Sequence, residues 1–291
     1  MARFLFISFA IFISLVGLIT CQKEIPSIEP VIVGRPMFDS MPTTKTLIPA
    51  INETSGIADS KKNAGYLWAQ EDGGNPTQLY LIKHEGTVEK KIHIKGTVNR
   101  DWEDMVLAGN DIYIGEIGDN NEVYPEYAFY KFAEPALSVD TISNIDTIRF
   151  RYPDGSHDAE AFLVDPSSNI IYIITKRDNP SRIYKLTPPF TSATIHTAEA
   201  AGQLPYSGVV SAALSPDGKE IIIKTYFSLG HYKIEAGETI ETALQRPPTI
   251  IPYTIEPQGE AVCFSANNNG YFTLSEKAFA SDVKIYFYKR N

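Results

Sequence analysis

Five tyrosines recur along this chain at nearly even intervals, at positions 80, 130, 184, 232 and 286, in steps of 50, 54, 48 and 54 residues. Each lies in the last of three short apolar runs separated by turn residues. In the third unit Ala159-Glu160-Ala161-Phe162-Leu163-Val164 is followed by Ile170-Ile171-Tyr172-Ile173-Ile174 and then Ile183-Tyr184-Lys185-Leu186. Short runs rich in β-branched and aromatic side chains read as strands. The turn chemistry agrees: Asp165-Pro166-Ser167-Ser168-Asn169, Ser215-Pro216-Asp217-Gly218 and Asn267-Asn268-Asn269-Gly270 each fall between the first and second runs of a unit. A period near fifty residues made of short strands is the signature of a β-propeller, each repeat forming one blade.

Most units continue into a fourth, more polar strand: Val88–Ile94, Asp146–Arg151, residues 194–198 and residues 249–253. The fifth unit stops after its third strand, while residues 44–51 precede the first unit without a blade of their own. Pairing this N-terminal strand into the last blade closes the ring and removes exposed edges. The sequence therefore predicts an all-β fold, a single propeller over residues 44–291 with five four-stranded blades. A sixth blade would have to lack every trace of the pattern. No stretch has the period of a long amphipathic helix. With 43% hydrophobic and 11% aromatic residues, the chain is not disordered.

Ahead of the repeats, Met1-Ala2-Arg3 and the apolar run over residues 4–19 have the charge–apolar–polar order of a secretory signal, and the run is short for a bilayer span. Leu18-Ile19-Thr20-Cys21 resembles the lipobox of bacterial lipoproteins, with Thr20 where Gly, Ala or Ser is usual. The resemblance implies a signal peptide over 1–20 and lipidation of Cys21, and residues 21–43, rich in proline and without periodicity, read as a semi-rigid tether. The expected setting is the bacterial cell envelope, with membrane contact only through the anchor. Cys263, in the apolar run Ala261-Val262-Cys263-Phe264, then has no disulfide partner and reads as a buried thiol.

The formal charge is −9, or 25 − 35 = −10 once Arg3 leaves with the leader. Such a chain is repelled by phosphate backbones, which argues against nucleic acid as a partner. Part of the acidity recurs at one place in the repeat. Where the chain enters the first strand of each blade, the units carry Glu53, Glu103, Glu160, Ser211 and Glu260. These strands line a propeller's channel, so carboxylates converge there, and like charges packed closely must be protonated, paired or bridged by a cation. Ca²⁺ or another hard divalent cation takes six to eight oxygens. The candidate metal ligands are Glu53, Glu103, Asp119, Glu160 and Glu260. Two alternatives stand beside a metal: the acids cap turns and pair with Lys176, Arg177, Lys224 and Lys277, or Glu103, Glu160 and His157 move protons in catalysis. Trp68, Trp102, Lys176, Arg177 and Tyr226 are the candidates for touching a ligand.

Four segments carry a resemblance: Asn99-Arg100-Asp101-Trp102-Glu103-Asp104, Gly115-Glu116-Ile117-Gly118-Asp119-Asn120, residues 152–161 and Glu256-Pro257-Gln258-Gly259-Glu260-Ala261. Together they look like a family of exported bacterial propeller proteins whose members mostly lack an assigned activity. More loosely, the chain is similar to gluconolactonase-like, esterase-like phytase and NHL propellers, some of which hold a divalent metal in the channel and which usually have six blades. The resemblance implies a fold and no reaction. There is no Gly-x-Ser-x-Gly elbow, no phosphate loop, no His-Glu-x-x-His and no zinc-spaced Cys/His array, and no nucleotide cofactor is expected. The sequence thus predicts a monomeric binding module whose acidic funnel holds a cation and a small polar ligand or a partner's loop. The alternatives are a metal-dependent hydrolase of an ester, lactone or phosphoester, and a protein-interaction scaffold.

Overall fold

The computed structural model describes residues 36–291, and the leader, Cys21 and most of the tether segment lie outside them. Five antiparallel sheets form the blades of a β-propeller. From the axis outward, blade 1 is Thr54–Asp59, Tyr66–Glu71, Gln78–Lys83 and Val88–Ile94. Blade 2 is Trp102–Ala108, Asp111–Glu116, Tyr127–Ala133 and Asp146–Arg151. Blade 3 is Ala159–Val164, Ile171–Thr175, Arg182–Leu186 and Glu199–Gln203, and blade 4 is Val209–Leu214, Glu220–Thr225, Leu229–Lys233 and Thr249–Ile251. Blade 5 is Ala261–Phe264, Gly270–Leu274 and Lys284–Lys289, completed by Thr43–Thr46, which pairs antiparallel with its third strand from Thr43 against Phe287 to Thr46 against Lys284. The expected closure by an N-terminal strand is what the sheet order displays. The closing contact reaches upstream into the segment expected as tether. Phe38 is wholly buried, edge-on to Tyr271 at 4.8 Å, and Asp39 N–H donates to the Lys289 carbonyl.

Two blades are wider than expected. Thr141–Ile142 adds to blade 1 in parallel with Val88–Ile94, and Ile195–Thr197 adds to blade 2 in parallel with Asp146–Arg151. The second addition corrects the assignment of residues 194–198 to blade 3, whose fourth strand is Glu199–Gln203. Both segments are short and polar, and their own sequence does not say which edge they cover.

The core is five apolar layers, each between neighbouring blades. Alternation along the strands puts Phe129 and Phe150 of blade 2 against Phe162 of blade 3, with the first two rings stacked at 5.3 Å. Each such ring, removed from water, contributes about 2–3 kcal/mol. Trp68 and Trp102 belong to the layer between blades 1 and 2 and are 0% exposed. Their indole N–H groups are both already bonded, Trp68 to Glu134 at 2.9 Å and Trp102 to the carbonyl of the exposed loop residue Val98 at 2.8 Å. This corrects their assignment as ligand contacts: a fully buried ring whose N–H is already bonded offers no surface.

The axis is closed rather than open. Asp104, at the inner strand of blade 2, accepts hydrogen bonds from Ser211 Oγ at 3.0 Å and Ala212 N–H at 3.1 Å, both on the inner strand of blade 4. Blades 2 and 4 are not neighbours in the ring, so these bonds cross the axis. Asp104 is 0% exposed, and burial pushes its carboxyl well above the usual carboxylate range. The other axial contact is tight as well: a side chain at Gly56 would collide with the Met105 backbone nitrogen, so only glycine lets blades 1 and 2 approach this closely.

Candidate functional site

Above Asp104, the loops entering the inner strands meet the loops leaving the second strands. Asp101 and Glu103 come from the entry to blade 2, Asp158 and Glu160 from blade 3, and Glu260 from blade 5; Asp72 and Glu276 follow the second strands of blades 1 and 5. Three triads form among these seven groups: Asp72, Asp101 and Glu103; Asp72, Glu260 and Glu276; and Glu103, Asp158 and Glu160. Within each triad one oxygen per residue lies within 4.8 Å of the others.

Local sequence explains why the loops hold still. Asn99 braces two of them, accepting from Trp102 N–H at 3.0 Å and donating from its side chain to the Asp72 carbonyl at 2.8 Å. The Glu116 carboxylate accepts the Arg100 and Asp101 backbone N–H groups, each at 2.9 Å. Lys176 N–H donates to the Asp158 carbonyl and Glu276 N–H to the Gln258 carbonyl, tying each exit loop to the entry loop beside it. Gly118 lies against Glu103 Oε1 and Asp101 Oδ2 so closely that a Cβ would overlap both, which is how two carboxylates nest under one loop.

The electrostatics follow from burial and like charge. Burial pushes Asp72 up to about 7, with Glu260, Asp101 and Glu53 adding to the rise and the Gly73 N–H opposing it. Glu276 is pushed up to about 8 by burial, Glu260 and Asp72. Burial, then Glu160 and Asp72, holds Glu103 well above the ordinary range, and burial raises Glu160 despite the opposing Lys176 ammonium. Asp101 rises through burial and then Asp158. Without a cation the mouth is therefore poised to keep protons near neutral pH.

Two cationic side chains enter from blade 3. Lys176 Nζ donates to Glu160 Oε1 and to Tyr226 Oη at 3.1 Å, and Arg177 Nε lies 2.7 Å from Asp158 Oδ2. Tyr226 in turn donates to Glu260. Among the described residues no ion pair reaches Asp72, Asp101, Glu103, Glu260 or Glu276. Glu160 Oε2 is sealed from solvent with no hydrogen-bond partner.

Of the residues expected as metal ligands, Glu103, Glu160 and Glu260 lie in the triads, and Glu53 and Asp119 do not. Glu53 is exposed and accepts from the Asn75 side chain at 2.6 Å. The inner strand of blade 1 enters later than the repeat suggests: the pair Thr54–Glu71 corresponds to Ala159–Thr175, so Ser55, not Glu53, occupies the bulge that holds Glu160 in blade 3. Asp119 is spent on its own loop, accepting from Val123 N–H, Tyr124 N–H and Tyr127 Oη. His157 is also elsewhere. It sits between Asp178 at 2.9 Å and Asp154 at 3.2 Å, with Tyr184 Oη at 2.9 Å. Both ring nitrogens are occupied there, which corrects its placement among the channel acids. Lys176, Arg177 and Tyr226 stand at the mouth. Asp72, Asp101, Asp158 and Glu276 were not among the expected ligands, although all lie within two positions of a repeat residue or of a second-strand end. That adjacency was the available signal.

No protein-family model matches the chain, and no curated protein matches it in sequence. Among solved structures it is similar to the hydrazine synthase of Kuenenia stuttgartiensis, at 12% identity over 82% of this chain and 71% of that one, with a TM-score of 0.43. So distant a likeness carries nothing about function. The propeller stands on the sheet order itself, and the looser resemblance to gluconolactonase-like, phytase-like and NHL propellers gains no support from a family match.

Proposed function

We propose that this protein is an exported, lipid-anchored binding module whose acidic mouth holds a divalent cation, with Ca²⁺ the best match, and presents it to a small polar ligand or a partner's loop. One observation carries the cation: seven carboxylates, most of them without a cationic partner, converge in triads of oxygens within 4.8 Å. A hard cation with six to eight oxygen ligands relieves their repulsion. Lys176, Arg177 and Tyr226 form the rim against which a ligand would rest. Export and anchoring rest on the sequence of residues 1–21 alone.

The test of the cation is calorimetric titration of chelator-treated protein with CaCl₂, alongside melting with and without Ca²⁺. Binding and a raised Tm are expected, both weakened in Glu103→Gln. An unaltered melting curve at millimolar Ca²⁺ sinks the reading. For the anchor, a Cys21→Ala form should leave the membrane fraction; retention there contradicts lipidation.

A second reading, a metal-dependent hydrolase, is favoured by one feature: Glu103 and Glu160, both held above the usual range by burial, share a triad, the paired-acid arrangement that proton transfer uses. Ester and lactone turnover that survives the Glu103→Gln/Glu160→Gln double variant would refute it.

A further inference from the structure

The three triads are not independent. Asp72 belongs to two of them and Glu103 to two, so they form a chain across the mouth: Asp72, Glu260 and Glu276 at one end, Asp72, Asp101 and Glu103 in the middle, and Glu103, Asp158 and Glu160 at the other end. The last position is already served by the protein's own cations, since Lys176 bonds Glu160 and Arg177 lies 2.7 Å from Asp158. The other two positions have no Lys or Arg paired to them among the described residues.

We propose that the mouth holds two divalent cations, one on Asp72, Glu260 and Glu276 and one on Asp72, Asp101 and Glu103, with the Asp72 carboxylate bridging them. The proposal rests on the cation-binding reading above and deepens it. Charge supports the number. Five carboxylates without an ion-pair partner carry five negative charges when ionised; one divalent ion leaves three of these unbalanced, and two leave one.

A second observation points to a ligand rather than to a merely acidic patch. Glu103 is 3% exposed, and the hydrogen bonds made at this residue by Ser55 and Gln70 go to its backbone carbonyl, not to its carboxylate. Its side chain is pressed against Gly118, where a Cβ would fill the space that Glu103 and Asp101 share. A buried carboxylate turned into a cluster with no donor of its own is strongly unfavourable unless protonated or bound to a cation. Next to it, Glu160 Oε2 is likewise sealed and unpartnered. Two ions sharing a carboxylate are found about 3.5–4 Å apart in binuclear sites generally, a spacing that triads sharing one residue accommodate.

The experiment counts ions on the full-length protein in detergent, by equilibrium dialysis against radioactive Ca²⁺ after chelator treatment. Two ions per chain are expected for the wild type and for Glu53→Gln, which lies outside the triads. One is expected for Glu276→Gln and one for Glu103→Gln. A single ion on the wild type overturns the pair while leaving the cation-binding reading intact; no ion overturns both. Two ions retained by Glu276→Gln overturn the placement. Glu276 is only half-buried and lies in a loop, so its variant should fold, which circular dichroism melting checks. Mn²⁺ supplies an independent readout. At full occupancy the wild type should show the broadened spectrum of a coupled pair and Glu276→Gln the sharp six-line spectrum of an isolated ion. An isolated-ion spectrum from the fully loaded wild type overturns the proposal.

Discussion

Stripping metal from the mouth should make the domain lose stability as pH rises, the reverse of ordinary acid denaturation. The perturbation is a chelator followed by a pH series from 5 to 8. Asp72 has an ordinary value of 3.8 and stands at about 7 in the fold. A folded-state value raised above the unfolded one means that the native state binds more protons, so stability is full below 3.8 and falls until the pH passes about 7. At about 1.4 kcal/mol for each pH unit between the two values, the proton contributes about 4 kcal/mol, of which about 3 kcal/mol is lost above pH 5. For a domain of this size that lowers Tm by roughly 6–12 °C. Glu276 pulls in the same direction, more weakly because solvent screens its half-exposed carboxyl. The carboxyls held low, Asp154, Asp165, Glu220, Glu238 and Glu241, act oppositely. Their contribution is fully present above their ordinary values of 3.8 and 4.5 and is lost only below them, which leaves the window from pH 5 to 8 clean. Saturating Ca²⁺ replaces the protons, and affinity rises with pH because the ligands must be ionised, so the slope should vanish or reverse. Calorimetric melting in EDTA and in Ca²⁺ measures both. A chelated protein whose Tm is flat or rising from pH 5 to 8 refutes the reasoning.

Three further outcomes are expected. Asp104→Ala leaves Ser211 Oγ and Ala212 N–H unpaired at the axis and should cost about 2–4 kcal/mol in denaturant unfolding, with Asp104→Asn milder; a loss under about 1 kcal/mol contradicts the cross-axis role. Lys224 and Glu256, both 0% exposed as side chains and 3.2 Å apart, form an ion pair whose single disruption by Lys224→Met should cost about 3–5 kcal/mol, while Lys224→Met with Glu256→Leu should recover most of it. Equal losses in the single and double variants would show that the pair is not the cause. Trp68→Phe should reduce stability by about 1–3 kcal/mol, through loss of the hydrogen bond to Glu134, and leave Ca²⁺ affinity unchanged; altered affinity in calorimetry would return this residue to the site.

Fold and site were legible to different depths. Tyrosines at nearly even spacing betray the blades because each third strand packs the same ring against the layer beside it, buried in blades 1 to 4 and partly buried at Tyr286. The closing strand was readable because one unit lacked a fourth strand and one strand lacked a unit. What escaped depends on local irregularity. The bulge at Ser55 moves Glu53 out of the position that the period assigns to it. The short parallel strands Thr141–Ile142 and Ile195–Thr197 are placed by partners far away in sequence. Trp68 and Trp102 look the same as exposed aromatics until the layer between blades 1 and 2 closes over them. Glu103, Glu160 and Glu260 were readable from the repeat, but which carboxylate shares a triad with which is a property of five loops meeting, and no single repeat contains it.

The Asp104 bridge has a kinetic corollary. With blades 2 and 4 stitched together across the axis, the disc is a cup and not a pipe. The bridge bars the straight path along the axis, so the acidic rim should be the doorway for chelators, competing metals and any ligand. Exchange rates should then respond to substitutions among Lys176, Arg177 and Tyr226 and ignore the far side. That opposite face, walled off from the ions, is left free to meet a surface or another molecule without disturbing what the cup contains.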